Sequence, residues 1–163
     1  MSYRVGTGYD VHQLEEGLPL ILGGIKIDYN KGVVAHSDGD VLIHAIIDSI
    51  LGALAIGDLG KFFPNTQKWK NVSGLTMLKY IKKLLNFENH QFIIVNIDST
   101  IILQDPQLSP YIDIMKNNIS KALDINIAQI SIKATTTDKL GFIGLGDGLA
   151  AESICLIKNE YPA

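Results

Sequence analysis

Hydrophobic residues alternate with polar residues in several short runs of the chain, which is the spacing of half-buried β-strands. In the longest run, Val95, Ile97 and Ile101 fall on the same face of the predicted strand. Gly23 and Gly24 separate two other runs, which indicates a β-hairpin. The predicted strands are Tyr3–Tyr9, Leu18–Leu22, Ile25–Tyr29, Phe92–Leu103, Ile130–Thr136 and Leu149–Lys158.

Three longer segments repeat their hydrophobic residues with helical spacing. The first follows the candidate caps Ser37 and Asp38 and ends before Gly57, and Ser73 caps the second. The third opens at Ser109, which a proline follows in the first turn. The predicted helices are Asp38 to about Ile56, Ser73 to about Asn86, and Ser109 to about Leu123.

The order of these elements predicts one α+β domain over residues 1–163. Its architecture is a two-layer sandwich, in which a mixed β-sheet carries helices on one face. The last strand, Leu149–Lys158, is apolar on both faces, which does not suit a solvated edge. We therefore expect something outside the subunit to cover the open face of the sheet.

Composition narrows the classes of function. The 163 residues are 47% hydrophobic, which suits a globular domain, and no run approaches the roughly 20 apolar residues of a membrane helix. The net charge of −3 and the lack of a basic stripe argue against a nucleic acid polymer as partner. Cys155 is the single cysteine and no targeting signal is visible, so we expect a cytoplasmic protein, bacterial or the mature form from a plastid.

Asp10 and His12 are the strongest chemical signal, because residues two apart in a strand point to the same side. His44 lies in a polar seam with Asp40 and Asp48 on a helix that is otherwise hydrophobic. Together Asp10, His12 and His44 would supply three ligands and leave one position open, as in catalytic zinc sites. On spacing alone, a hydrogen-bonded core histidine remains the alternative.

Two further segments suit phosphate chemistry, each with a plain structural alternative. The polar turn at residues 35–40 leads into a helix N-terminus, so it is either a phosphate site or a capped turn. Thr135, Thr136, Thr137 and Asp138 precede several glycines, so the segment is either a loop for a diphosphate and a divalent ion or a glycine-rich hairpin. Asp58 stands beside glycines, where a turn is the simpler interpretation.

Taken together, these segments resemble the 2-C-methyl-D-erythritol 2,4-cyclodiphosphate synthase family over nearly the whole chain. The most specific are the His-Ser-Asp-Gly-Asp run at residues 36–40 and the Ala-Thr-Thr-Thr run at residues 134–137. The other matching segments are residues 8–12, 22–24, 35, 41–45, 57–64, 96–102, 133 and 138–142.

The resemblance implies a homotrimer with active sites between subunits. We expect this trimer to bury the apolar last strand, with Glu152 near the three-fold axis. It implies zinc on Asp10, His12 and His44, and Mg²⁺ or Mn²⁺ on Asp138. His36 and Thr136 would be catalytic, through stabilisation of transition-state charge. The substrate-binding residues that it implies are Asp10, His12, His36, Ser37, Asp58, Gly60, Phe63, Pro64, Asn65, Thr66, Gln67, Leu103, Gln104, Asp105, Pro106, Gln107, Leu108, Ser109, Thr135, Thr136, Thr137, Asp138 and Phe142.

Five positions depart from the family pattern. Asp138 replaces the usual glutamate, and Gln107 stands where lysine is frequent. Asn65 and Gln67 stand where aspartates are common. Leu145 replaces an arginine that often lines the central channel of the trimer.

The implied reaction is intramolecular phosphoryl transfer in 4-diphosphocytidyl-2-C-methyl-D-erythritol 2-phosphate, in the non-mevalonate route to isoprenoids. The 2-phosphate attacks the β-phosphorus and CMP leaves, so a lyase activity with a small nucleotide substrate is expected. Two alternatives use the same residues or assembly: a metal-dependent phosphohydrolase, and a non-catalytic oligomer that binds an isoprenoid diphosphate.

Overall fold

The computed structural model describes residues 2–85 and 92–159. Five strands form one mixed sheet in the order β4-β1-β7-β5-β6, in which β5 and β6 are parallel and the other pairs are antiparallel. Strands β2 and β3 form the separate hairpin that Gly23 and Gly24 predict. The strands are β1 (Ser2–Glu16), β2 (Leu20–Leu22), β3 (Ile25–Ile27), β4 (Lys31–Val33), β5 (Phe92–Ile102), β6 (Ile130–Thr135) and β7 (Gly148–Asn159).

Helices cover one face of this sheet, so the predicted α+β sandwich is confirmed for the described residues. Helix α1 is almost wholly buried, and α3 and α4 pack beside each other. None of the described helices has the length and apolar character needed to cross a bilayer. The helices are α1 (Val41–Leu54), α2 (Leu59–Phe62), α3 (Gly74–Leu84), α4 (Ile112–Leu123) and α5 (Gly141–Gly144).

The main differences from the predicted elements are local. The first strand continues to Glu16, and the three-residue strand β4 was not predicted because it is too short to show alternation. A bulge in β5 lies between Ile94 and Asn96, so Ile94 rather than Val95 is buried with Ile97. The glycine-rich segment after β6 contains the short helix α5 rather than a plain hairpin loop.

The helix caps were predicted with mixed success. Ser73 caps α3 as expected, whereas the predicted end at Asn86 lies outside the described residues. The cap of α1 is Asp40, not Ser37 or Asp38, because the chain reaches helical geometry only after Gly39, whose φ is +70°. The third helix starts with a 3₁₀ turn over Ser109–Tyr111, and its cap position, Leu108, makes no side-chain cap bond, so Ser109 is not the cap.

Helix α1 lies unusually close to strand β1, because Gly6 and Gly8 have no side chains. A Cβ on Gly8 would stand 2.0 Å from the carbonyl oxygen of Ala45, and one on Gly6 would stand 2.0 Å from that of Ser49. Contacts this short with backbone atoms cannot be relieved by a rotamer change. The two glycines therefore set the depth at which α1 sits on the sheet.

The opposite face of the sheet carries exposed apolar side chains. Tyr3, Val5 and Tyr9 of β1 are each more than half exposed, and Ile154 of β7 is nearly half exposed. Strand β7 itself lies in the centre, paired with β1 and β5, so its backbone needs no further partner. The last strand is therefore not a solvated edge, as its apolar faces predict, and what needs cover is the side-chain surface of this face. Cys155 points the other way, where burial raises the pKa of its thiol to about 12.

We expect Gly8→Ala to lower the free energy of unfolding by about 3 kcal/mol or more, since α1 must move away from β1. Gly52→Ala is the matched control, because Gly52 lies on α1 and its Cβ would stand 3.6 Å from the nearest atom, the Thr7 carbonyl oxygen. That variant should be neutral or gain up to about 1 kcal/mol from helix propensity. Urea unfolding measures both, and equal stabilities would contradict the argument.

Candidate metal centre and nucleotide pocket

Asp10, His12 and His44 converge as the sequence predicts. Asp10 Oδ2 lies 2.9 Å from His44 Nδ1 and 3.2 Å from His12 Nε2, and one ligand atom from each of the three residues lies within 4.8 Å of the others. Strand β1 presents the first two residues on its helix-covered face, and the close approach of α1 brings the third to them. Two imidazoles and one carboxylate form a donor set that suits a divalent transition metal with an open coordination position.

The electrostatics of this cluster follow from its contacts. Burial raises the pKa of Asp10, but hydrogen bonds from His12 and His44 outweigh that effect and hold the pKa at about 2. Burial lowers the pKa of His44, yet its hydrogen bond to Asp10 leaves the value raised. The carboxylate is therefore ionised at neutral pH, as a metal ligand must be.

A cavity of about 200 Å³ opens beside these three residues. His36, Ser37, Phe63 and Asn65 line it, so four more residues predicted for the site are brought to the same place. Ser37 Oγ lies 3.3 Å from His44 Nε2. His36 Nε2 donates a 2.9 Å hydrogen bond to the carbonyl of Thr66, which ties the ring to the segment that follows Asn65.

Asp58 and Gly60 lie next to this cavity rather than in its lining. They flank Leu59, which does line it, and Asp58 caps the short helix α2 through Lys61 N. Asp48 of α1 accepts a 2.6 Å hydrogen bond from Leu59 N, and burial raises the pKa of Asp48 despite that bond. The seam that the sequence shows on α1 thus contacts the α2 segment as well as β1.

A second cavity of about 350 Å³ lies at the other end of the sheet order, beside β6. All of the predicted segment from Leu103 to Ser109 lines it, together with Thr135 and Thr136. Gln104 Oε1 accepts a hydrogen bond from Lys139 N, which joins this segment to the loop after β6. The two cavities share no lining residue. The first lies beside β1 and the second beside β6, and β7 and β5 stand between these two strands. At the usual spacing of neighbouring strands, β1 and β6 are about 14 Å apart.

Some residues implied by the resemblance lie outside both linings. Asp138 is exposed and hydrogen-bonds only to Thr136 among the contacts described. Phe142 is about half exposed on α5. The remaining members of this group are Pro64, Thr66, Gln67 and Thr137.

The N-terminus of α1 is not an open phosphate site. The carboxylate of Asp40 accepts Ile43 N at 3.1 Å, and burial raises the pKa of this carboxyl to about 6. Of the two interpretations of residues 35–40, the capped turn is therefore correct for the helix end itself. His36 and Ser37 still reach the cavity through their side chains.

Three residues of the cavity lining were not predicted from the sequence. Trp69, Met77 and Leu59 form apolar parts of the metal cavity. Trp69 packs edge-on against Phe63, with ring centroids 4.7 Å apart. The signal of Trp69 in the sequence is weak, because this residue stands in a 3₁₀ turn without a repeating pattern.

Fold and site together define an α+β protein with a candidate metal centre of two histidines and one carboxylate, and a separate pocket bounded by a threonine-rich strand end. Comparison with known proteins gives the family. The model of the YgbB family matches residues 3–158. The chain therefore belongs to this family.

The curated relatives and solved structures agree with this assignment. The 2-C-methyl-D-erythritol 2,4-cyclodiphosphate synthase of Clostridium perfringens is 53% identical over 155 residues, covering 94% of this chain and 98% of the relative. The synthase of Clostridium kluyveri is 54% identical over 158 residues, covering 96% and 95%. A structure of IspF from Plasmodium falciparum in complex with CDP is 37% identical with a TM-score of 0.85, covering 98% of each chain.

Proposed function

We propose that this protein converts 4-diphosphocytidyl-2-C-methyl-D-erythritol 2-phosphate to 2-C-methyl-D-erythritol 2,4-cyclodiphosphate and CMP. The observation that carries the proposal is the metal centre formed by Asp10, His12 and His44, beside a cavity lined by His36 and Ser37. The high identity to synthases along almost their whole length supports the same activity. The second cavity would take the cytidine end, because its lining contains the residues that the resemblance assigns to cytidine, and the related Plasmodium structure is a complex with CDP.

The reaction joins a 2-phosphate oxygen to the β-phosphorus and breaks the bond between that phosphorus and the bridging oxygen, so that CMP leaves with the electron pair. The phosphate is already anionic and needs no general base. The protein must align the groups and balance the charge that moves to the leaving oxygen. His36 and Thr136 are the catalytic residues proposed for that charge, and Ser37 binds the diphosphate.

Asp10, His12 and His44 would hold zinc, because the donor set and its ionised carboxylate fit that ion. When bound, zinc supplies Lewis-acid polarisation of a phosphate oxygen. Asp138 would hold Mg²⁺ or Mn²⁺, as an exposed carboxylate next to the hydroxyl of Thr136 offers the oxygen ligands these ions prefer. Asp58 and Gly60 would contact the hydroxyls of the methylerythritol unit.

We further propose a homotrimer that buries the open sheet face. Its exposed apolar residues, Tyr3, Val5, Tyr9 and Ile154, need such cover. In the trimer, the metal cavity of one subunit would meet the nucleotide cavity of the next, which explains how two cavities on separate strands serve one substrate. Leu145, which is 72% exposed, would then face the central channel in place of an arginine.

The activity is tested by incubating the purified protein with this substrate, zinc and magnesium, and identifying the products by ³¹P NMR. We expect the cyclic diphosphate and CMP in equal amounts. Free inorganic phosphate instead would indicate the phosphohydrolase alternative. Binding without turnover would indicate the isoprenoid-diphosphate carrier, and either result would contradict the proposal.

The metal assignment is tested with two histidine variants of the same cavity. His44→Ala should lose most bound zinc and nearly all turnover, because one of three ligands is gone. His36→Ala is the matched control: it should keep its zinc and lose turnover alone, since His36 is not a ligand. Elemental analysis of both proteins measures this, and full zinc content in His44→Ala would rule out the ligand set.

The assembly is tested by light scattering at micromolar concentration. We expect the mass of three subunits for the wild-type protein. Tyr9→Asp places a charge on the open sheet face and should shift the mass toward one subunit, with loss of turnover. A monomeric wild-type protein with normal turnover would refute the trimer.

A further inference from the structure

The segment that carries His36 and Ser37 has no regular secondary structure of its own. It runs through residues 34–40 between β4 and α1. Its backbone is tied to the segment before α3 by two hydrogen bonds: Asn71 N donates to the His36 carbonyl at 3.0 Å, and Asp38 N donates to the Val72 carbonyl at 3.4 Å. Its position therefore depends on contacts with other elements.

The side chain of Asp38 connects this segment to helix α3. Asp38 Oδ2 accepts a 2.7 Å hydrogen bond from Gly74 N, the first residue of α3. Asp38 Oδ1 accepts a 3.2 Å bond from Asp40 N. One side chain thus joins the segment to the N-terminus of α3 and also closes its own turn.

The carboxylate of Asp40 anchors the other end of the segment. It is fully buried and accepts Gly24 N at 2.7 Å and Gly23 N at 3.1 Å, in addition to Ile43 N. Gly23 and Gly24 both have positive φ, so their successive N–H groups form a concave anion receptor. Asp40 therefore fixes the start of α1 to the turn of the β2–β3 hairpin.

We propose that Asp38 and Asp40 are positioning residues, which act on the reaction by holding His36 and Ser37 at the cavity. Neither carboxylate lines that cavity, and all four of their oxygens accept backbone N–H groups. Both carboxylates are therefore bound to the backbone and do not face the substrate cavity. Catalytic donors must be held within about 0.5 Å of their working position, and these bonds supply that support. The inference rests on the proposed function for its kinetic part alone.

Asp38→Asn is the informative variant, because the amide leaves either Gly74 N or Asp40 N facing another donor. We expect kcat to fall about 10-fold or more while KM changes less than about 3-fold and zinc content stays unchanged. The matched control is Ser73→Ala, which removes a cap bond to Thr76 N from the same end of α3 and leaves the 34–40 segment tied. Its kcat should stay within about 2-fold of wild type. Equal losses of kcat in the two variants would overturn the proposal.

A double-mutant cycle separates positioning from general destabilisation. If Asp38 acts through the 34–40 segment, Asp38→Asn should reduce kcat/KM less than about 2-fold further in the His36→Ala, Ser37→Ala background. A full additional 10-fold loss in that background would overturn the proposal.

Hydrogen exchange gives a readout that does not need the reaction. Amides of residues 35–42 should exchange at least about 10-fold faster in Asp38→Asn, while those of residues 10–14 stay unchanged. Unchanged exchange at residues 35–42 would overturn the proposal even in an active enzyme. A wild-type protein without cyclisation would refute the proposed function, and the exchange result would still decide whether Asp38 holds the segment.

Discussion

The short distance between helix α1 and strand β1 is the constraint on which the site depends. Gly6 and Gly8 allow the helix backbone to rest directly on the strand, with no side-chain layer between them. A layer of side chains between helix and strand would hold His44 farther from Asp10 than the 2.9 Å that joins Asp10 Oδ2 to His44 Nδ1. The lack of side chains at Gly6 and Gly8 therefore brings His44 to Asp10, and the buried hydrophobic residues of α1 keep the helix in that place.

The parts of the site that follow a simple period could be predicted from the sequence. Asp10 and His12 share a strand face by parity, and His44 follows from the helical seam. The close approach of α1 to β1 could not be predicted. Gly6 and Gly8 are informative only when it is known that α1 crosses the strand at these two positions. The cap of α1 was misplaced for a related reason: the positive φ of Gly39 delays the helix, and only the folded backbone reveals it.

Longer-range features were also beyond the sequence pattern. The bulge at β5 exchanges the faces of Ile94 and Val95, and alternation alone cannot signal an extra residue. Trp69 enters the cavity from a 3₁₀ turn, where no period applies. The resemblance to a family implies what the pattern does not, namely that residues on β1 and on the loop after β6 would serve one substrate, although two strands separate them within the chain.

The central position of β7 determines when the sheet can form during synthesis. Strand β1 pairs residue 2 with residue 159 of β7, and β5 pairs with the other side of the same strand. During translation, β1 and β5 leave the ribosome with the gap between them still empty, and each exposes an unpaired edge to other chains. Asp10 and His12 lie on β1, one of these two strands. The strand that carries Asp10 and His12 therefore lacks this partner until residues 148–159 have been made, so the five-stranded sheet can close only after β7 is present.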